Sequence, residues 1–194
     1  MSLAAQARVI LAEWVTSDVL RKHCGAVAAS MAYLAPRYAG DADVWEATGI
    51  LHDMDYERHP SLEVADNAHP YVGVRWLREH GWSEEICRAI LSHADYTGVS
   101  RDSTMEKALF AVDELSSFVV AVALVRPSKN IADVDVAAVK KKMKDKGFAR
   151  AVNRDDIMHG AAGLGVEVDV LIADVIAALT ARAPELGISG QPAS

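Results

Sequence analysis

Apolar residues recur at three- and four-residue spacing along almost the whole chain, and no segment alternates apolar and polar positions between hairpin turns. That pattern predicts an all-α protein. A first helix is expected over about residues 4–15, and the triplet "TSD" at 16–18 offers a cap for a second that runs to about Tyr38. A third leads from Asp43 into the stretch "GILHDMDYERHP" at 49–60. After a polar, proline-containing loop at about 58–68, Pro70 suits the first turn of a helix reaching about His80. "GWSEE" then ends that helix and caps the next, which carries "ICRAILSHAD". The long segment "TMEKALFAVDELSSFVVAVALV" stops at Arg126-Pro127, because proline cannot continue the hydrogen-bond ladder. Three amphipathic pieces follow, "DVAAVKKKMKDKGF", "RDDIMHGAAGLG" and "EVDVLIADVIAALTAR"; the lysine run at 140–146 reads as the wet face of its helix. No repeat or low-complexity linker interrupts the pattern, so residues 1–194 are expected to form a single helical domain.

Several ionisable residues fall on apolar faces. Leu20, His23, Val27 and Leu34 share one helical stripe, Ile86, Ile90 and His93 a second, and Met105, Leu109, Asp113, Ser116 and Val120 a third. The helix with Trp45, Ala47, Ile50 and Leu51 runs directly into His52 and Asp53. Singly, an inward histidine is ordinarily a hydrogen-bonded core residue, and a buried Asp113 is met equally well by an arginine. Taken together, four segments that each turn a nitrogen or oxygen ligand inward would be satisfied by one metal site. His59, His80 and His159 have polar neighbours or lie near turns and are expected to be non-ligands.

Composition narrows the partners. With 27 acidic against 20 basic residues and net charge -7, a broad grip on a nucleic acid backbone is not expected, whereas small anions remain open through local sites. Cys24 and Cys87 show no CxxC spacing and read as two reduced thiols. The longest apolar run, residues 118–125, is far shorter than the roughly 20 residues of a membrane span. The first residues lack a basic segment ahead of a continuous apolar stretch, so a cytoplasmic protein with no membrane partner is expected.

In order, His23, the adjacent His52-Asp53 pair at the end of an apolar helix, and Asp113 on a later long helix resemble the H...HD...D signature of the HD-domain superfamily of metal-dependent phosphohydrolases. "HDMDYE", "FAVDEL" and "ALVRPSKN" are similar to a subgroup of small bacterial HD proteins. Many members continue the motif as HDIG; this chain reads HDMD, with Asp55 in place of the glycine. The resemblance implies an HD-type helical bundle whose metal-site core covers about 17–126, with helices at about 133–183 packed on it. Some members add two histidines between the HD pair and the last aspartate, and His69 and His93 lie in that interval in a fitting order. The implied set is His23, His52, Asp53, His69, His93 and Asp113, with Asp53 bridging two ions. Mixed imidazole and carboxylate ligands suit divalent Mn, Fe, Co, Ni or Zn, one or two ions per chain, better than Ca or Mg.

The same resemblance implies hydrolysis of a small anionic substrate, a phosphoester or nucleotide, by a metal-activated water. Asp53, Asp55 and Glu57 are then the expected catalytic carboxylates, and Arg58 and Lys129 the expected phosphate-binding cations. Two other classes stay open: a di-iron oxygenase, which the six-ligand pattern also admits, and a non-catalytic, metal-stabilised regulatory module.

Overall fold

Short polar side chains start most of the helices among the described residues by accepting backbone N–H groups that the first turn leaves without partners. The computed structural model describes residues 1–190, and the described residues hold ten α-helices and no strand, one isolated bridge joining Asn130 to Ser189. The helices are α1 (Leu3–Trp14), α2 (Asp18–Leu34), α3 (Ala42–Leu51), α4 (Tyr71–Glu79), α5 (Glu84–Ser92), α6 (Thr104–Leu124), α7 (Val136–Met143), α8 (Arg154–Leu164), α9 (Val168–Ala181) and α10 (Ala183–Leu186). Ser17 caps α2, Asp41 caps α3 and Ser83 caps α5. At α6 the cap is reciprocal: Ser103 Oγ accepts from Glu106 N, and Glu106 accepts from Ser103 N.

Three boundaries differ from the sequence expectation. The second helix is α-helical only to Leu34 and tightens into a 3-10 turn at Ala35–Tyr38, where Pro36 supplies no N–H and Ala39 turns left-handed at φ 56°. Pro70 stands one position outside α4, as its N-cap, rather than within the first turn. The lysine-rich helix closes at Met143, short of the following Gly-Phe.

α2 and α6 form the centre, and two glycines set how closely their neighbours approach. A Cβ on Gly49 of α3 would lie 2.7 Å from Ala28 Cα of α2, and one on Gly160 of α8 would lie 2.5 Å from Ala111 Cα of α6. Both crossings are therefore backbone-to-backbone contacts that a side chain would force apart. The buried side chains divide into two clusters. One gathers Met31, Leu109, Leu115, Phe118 and Val175 around α2, α6, α8 and α9. The other gathers Leu11, Leu51, Met54, Leu77 and Ile90 around α1, α3, α4 and α5. α2 contributes to both, through Val27 to the first and Cys24 to the second. No helix of the described residues is long and apolar enough to cross a membrane.

Candidate metal centre

Five segments bring ionisable side chains to the junction of α2, α3, α5 and α6. His52 and His93 are the C-cap residues of α3 and α5, and both rings fold back on the helix they end. His52 Nδ1 donates to Gly49 O at 2.8 Å, and His93 Nδ1 donates to Ile90 O. A helix end leaves its last carbonyls without intrahelical partners. Accepting from a terminal histidine satisfies one carbonyl and fixes the proton on Nδ1, which leaves Nε2 as a free lone pair. His69, in the loop before α4, is held by Asp55 at 2.7 Å from Nδ1, and His23, on α2, by Ser117 Oγ of α6 at 2.7 Å. All four rings thus have Nδ1 engaged outside and Nε2 turned inward.

The inward atoms form two triads. His23 Nε2 and His52 Nε2 lie 3.0 Å apart, and Asp113 Oδ1 is 3.1 Å from the first and 3.4 Å from the second. His69 Nε2 and His93 Nε2 lie 3.3 Å apart, with Asp53 Oδ1 at 3.3 and 3.6 Å. Asp53 belongs to both sides, because its other oxygen, Oδ2, is 3.4 Å from His23 Nε2 and 3.7 Å from His52 Nε2. Ligands about 2.1 Å from one ion are separated by about 3.0 Å in octahedral and about 3.4 Å in tetrahedral geometry. The donor set and its spacing therefore fit a divalent transition ion at each triad, His23, His52 and Asp113 in one, Asp53, His69 and His93 in the other. His52 is fully buried, whereas Asp53 and Asp113 keep 16% and 20% of their side chains exposed, so the site opens on its carboxylate side.

Without a cation, the cluster must compensate its carboxylates with protons. Burial opposes charge on His23, but hydrogen bonds to Asp113 and Asp53 prevail and hold its pKa up to about 10. His93 is raised for the same balance of reasons, burial against Asp53. Burial pulls Asp53 and Asp113 upward, yet the facing His52 and His23 rings hold both well below the usual carboxylate range. Glu114, next along α6, is raised to about 7 by burial and by the Asp113 charge.

Four residues expected at the site are elsewhere or turned away from its opening. Asp55 is buried behind His69, where it accepts from His69 Nδ1 and, at 2.6 Å, from Gly73 N of α4; it positions a ring and does not face the opening. Glu57 accepts from Thr16 N, Thr16 Oγ1 and Ser17 N, so it closes the turn that leads into α2. Arg58 donates to Glu13 O and covers the Trp14 ring. Lys129 is exposed in the turn beyond α6, whose end at Leu124 lies about 16 Å along the axis from Asp113 at 1.5 Å per residue. His59, His80 and His159 belong to neither triad. The stripe on α6 also needs correction: Met105, Leu109 and Ser116 are buried, but Asp113 and Val120 lie at the edge of its open face. Ser117, which holds His23, has no sequence signal beyond its place four residues after Asp113 on the same helix face.

Residues 20–117 match the HD domain family, a span that contains all six clustered residues. A curated relative, Ribonuclease Y of Cutibacterium acnes (strain DSM 16379 / KPA171202), is 32% identical over 73 residues, which is 38% of this chain and 13% of that protein. No solved structure matches. A family match over half the chain, laid on a cluster in which every residue of the H...HD...D pattern meets the others, has one reading: this chain belongs to the HD domain family.

Proposed function

We propose that the chain is a metal-dependent phosphohydrolase that holds two divalent transition ions through His23, His52, Asp53, His69, His93 and Asp113. The observation that carries this reading is Asp53, which presents Oδ1 to one triad and Oδ2 to the other. The chemistry a divalent ion would supply there is a coordinated water of lowered pKa and a polarised phosphoryl oxygen. The chain's own residues supply the rest. The Nδ1 partners of the four histidines fix ring orientation, which spares the site reorganisation when a charged substrate arrives. His52 and the two hydrophobic clusters exclude water from beneath, and the exposed edges of Asp53 and Asp113 define the side of approach. The substrate is a small phosphoester or nucleotide; a relative named as a ribonuclease supports phosphodiester chemistry, while the net charge of -7 disfavours a long polyanion. The described residues are read as one domain, because α9 and α10 complete the core that α2 and α6 begin.

A second reading, a di-iron oxygenase, draws on the same paired triads. Elemental analysis of protein purified without chelator separates them. About two ions per chain and turnover of phosphomonoesters or nucleotides with added Mn, Co or Ni support the hydrolase. Two irons with oxygen consumption support the oxygenase. A chain that takes up no metal after reconstitution overturns both.

A further inference from the structure

Beside the metal cluster, two helix faces are mainly apolar and yet open to solvent. On α2, Val19, Lys22, His23 and Ala26 stand at i, i+3, i+4 and i+7, and on α6, Ser117, Val120, Ala121 and Leu124 repeat that spacing. The two stripes line one cavity of about 360 Å³. Ala26 is buried, His23, Ser117, Val120 and Ala121 are partly exposed, and Val19 and Leu124 keep 80% and 46% of their surface exposed. Apolar side chains exposed singly are ordinary, whereas a contiguous apolar lining with a polar rim marks a binding groove.

The groove begins at the cluster. His23 lines it while its Nε2 lies 3.1 Å from Asp113 Oδ1 and 3.4 Å from Asp53 Oδ2; Ser117, on the opposite wall, bonds His23 Nδ1 at 2.7 Å, and Asp113 stands one turn before Ser117 on the same face of α6. From Ser117 the wall runs seven residues to Leu124, about 10 Å along the axis. Its polar groups are engaged elsewhere. Ser117 Oγ holds His23, and Lys22 Nζ lies 3.9 Å from where a Cβ on Gly187 would stand, toward α10, so the lysine offers the groove its hydrocarbon stem. No Phe, Tyr or Trp lines the groove, so a nucleobase would find neither a stacking ring nor a side-chain amide there. A volume of this order suits part of a small ligand. A stable protein interface takes about 800 Å² from each partner, far more than so short a groove presents.

We propose that the groove between α2 and α6 holds the hydrocarbon group of an alkyl phosphomonoester whose phosphate sits at the metal cluster. The proposal rests on the phosphohydrolase reading and narrows its substrate to phosphate esters of short aliphatic alcohols. A tail longer than the groove would pass Leu124 into water and gain nothing further.

The test is calorimetric binding of ethyl-, butyl- and hexylphosphonate, whose C–P bond resists hydrolysis, to protein with and without metal. Full burial of a methylene is worth about fourfold in affinity and a groove open on one side about twofold, so hexylphosphonate should bind metal-loaded protein about sixteenfold more tightly than ethylphosphonate. Leu124→Ser, at the far end, should erase the step from butyl to hexyl, and Ala121→Phe, which fills the groove, should erase both steps, each with metal content kept. Leu124 is exposed and Ala121 partly so, and neither variant empties or crowds the buried core. Equal affinity for the three probes, with binding that requires metal, overturns the groove and leaves the hydrolase reading standing; binding indifferent to metal overturns both. A chain-length preference that survives Ala121→Phe, adenosine 5′-monophosphate bound more tightly than hexylphosphonate, or sedimentation as a dimer that Leu124→Ser separates would each overturn the groove as well.

Discussion

Asp55→Asn keeps size and shape while removing a charge that is 1% exposed and bonded to two donors, His69 Nδ1 at 2.7 Å and Gly73 N at 2.6 Å. An asparagine offers one acceptor oxygen in place of two, so its NH2 group must face one of those donors. If the oxygen stays on Gly73, His69 loses the partner that fixes its proton on Nδ1. Loss of such an outer partner costs about 10–100-fold in metal affinity, or about 1.4–2.8 kcal/mol. Only one triad contains His69, so the effect should be unequal. In a competitive chelator titration of protein reconstituted with metal, an ion at Asp53, His69 and His93 should weaken by that factor, while one at His23, His52 and Asp113 keeps its affinity. Thermal unfolding in excess chelator should show a separate loss of about 2 kcal/mol from the impaired buried bond. Two unchanged affinities, or two that fall together, would refute the view that Asp55 acts through His69.

Asp53→Ala removes the carboxylate shared by both triads and should abolish binding of both ions while far-UV circular dichroism stays helical; full metal occupancy would sink the ligand assignment. In metal-free protein, the raised His23 pKa contributes stability that is complete below its unfolded value near 6.5 and lost as pH rises through about 10. The melting temperature with chelator should therefore fall across that window, whereas metal-loaded protein should gain affinity with pH because fewer protons need displacing; a flat metal-free profile contradicts the imidazolium–carboxylate cluster. Glu57→Ala should lower the melting temperature by loosening the Thr16–Ser17 turn yet leave metal content and turnover intact, and a selective loss of turnover would restore the catalytic role expected from sequence. Gly49→Ala should cost about 1–3 kcal/mol in denaturant titration, because the added Cβ meets Ala28 backbone 2.7 Å away.

The sequence by itself determined the helical class, because periodicity is a local property that each helix displays without its partners. It also determined which residue types turn inward at the centre: His23, His52, Asp53 and His93 stand at face or helix-end positions where neighbouring apolar residues make them conspicuous. Their meeting depends on the packing of α2, α3, α5 and α6, and local spacing carries no information about it. Tertiary structure alone decided two matters. It divided the six residues into two triads joined by Asp53, because that grouping depends on distances between separate helices. It sorted the charged run after the HD pair, sending Asp55 inward to His69, Glu57 outward to the turn between α1 and α2, and Arg58 outward to the end of α1, since a turn of alternating directions gives each residue a different neighbour. Helical period reveals which face a residue occupies, and only the packing of one helix on another reveals what that face meets.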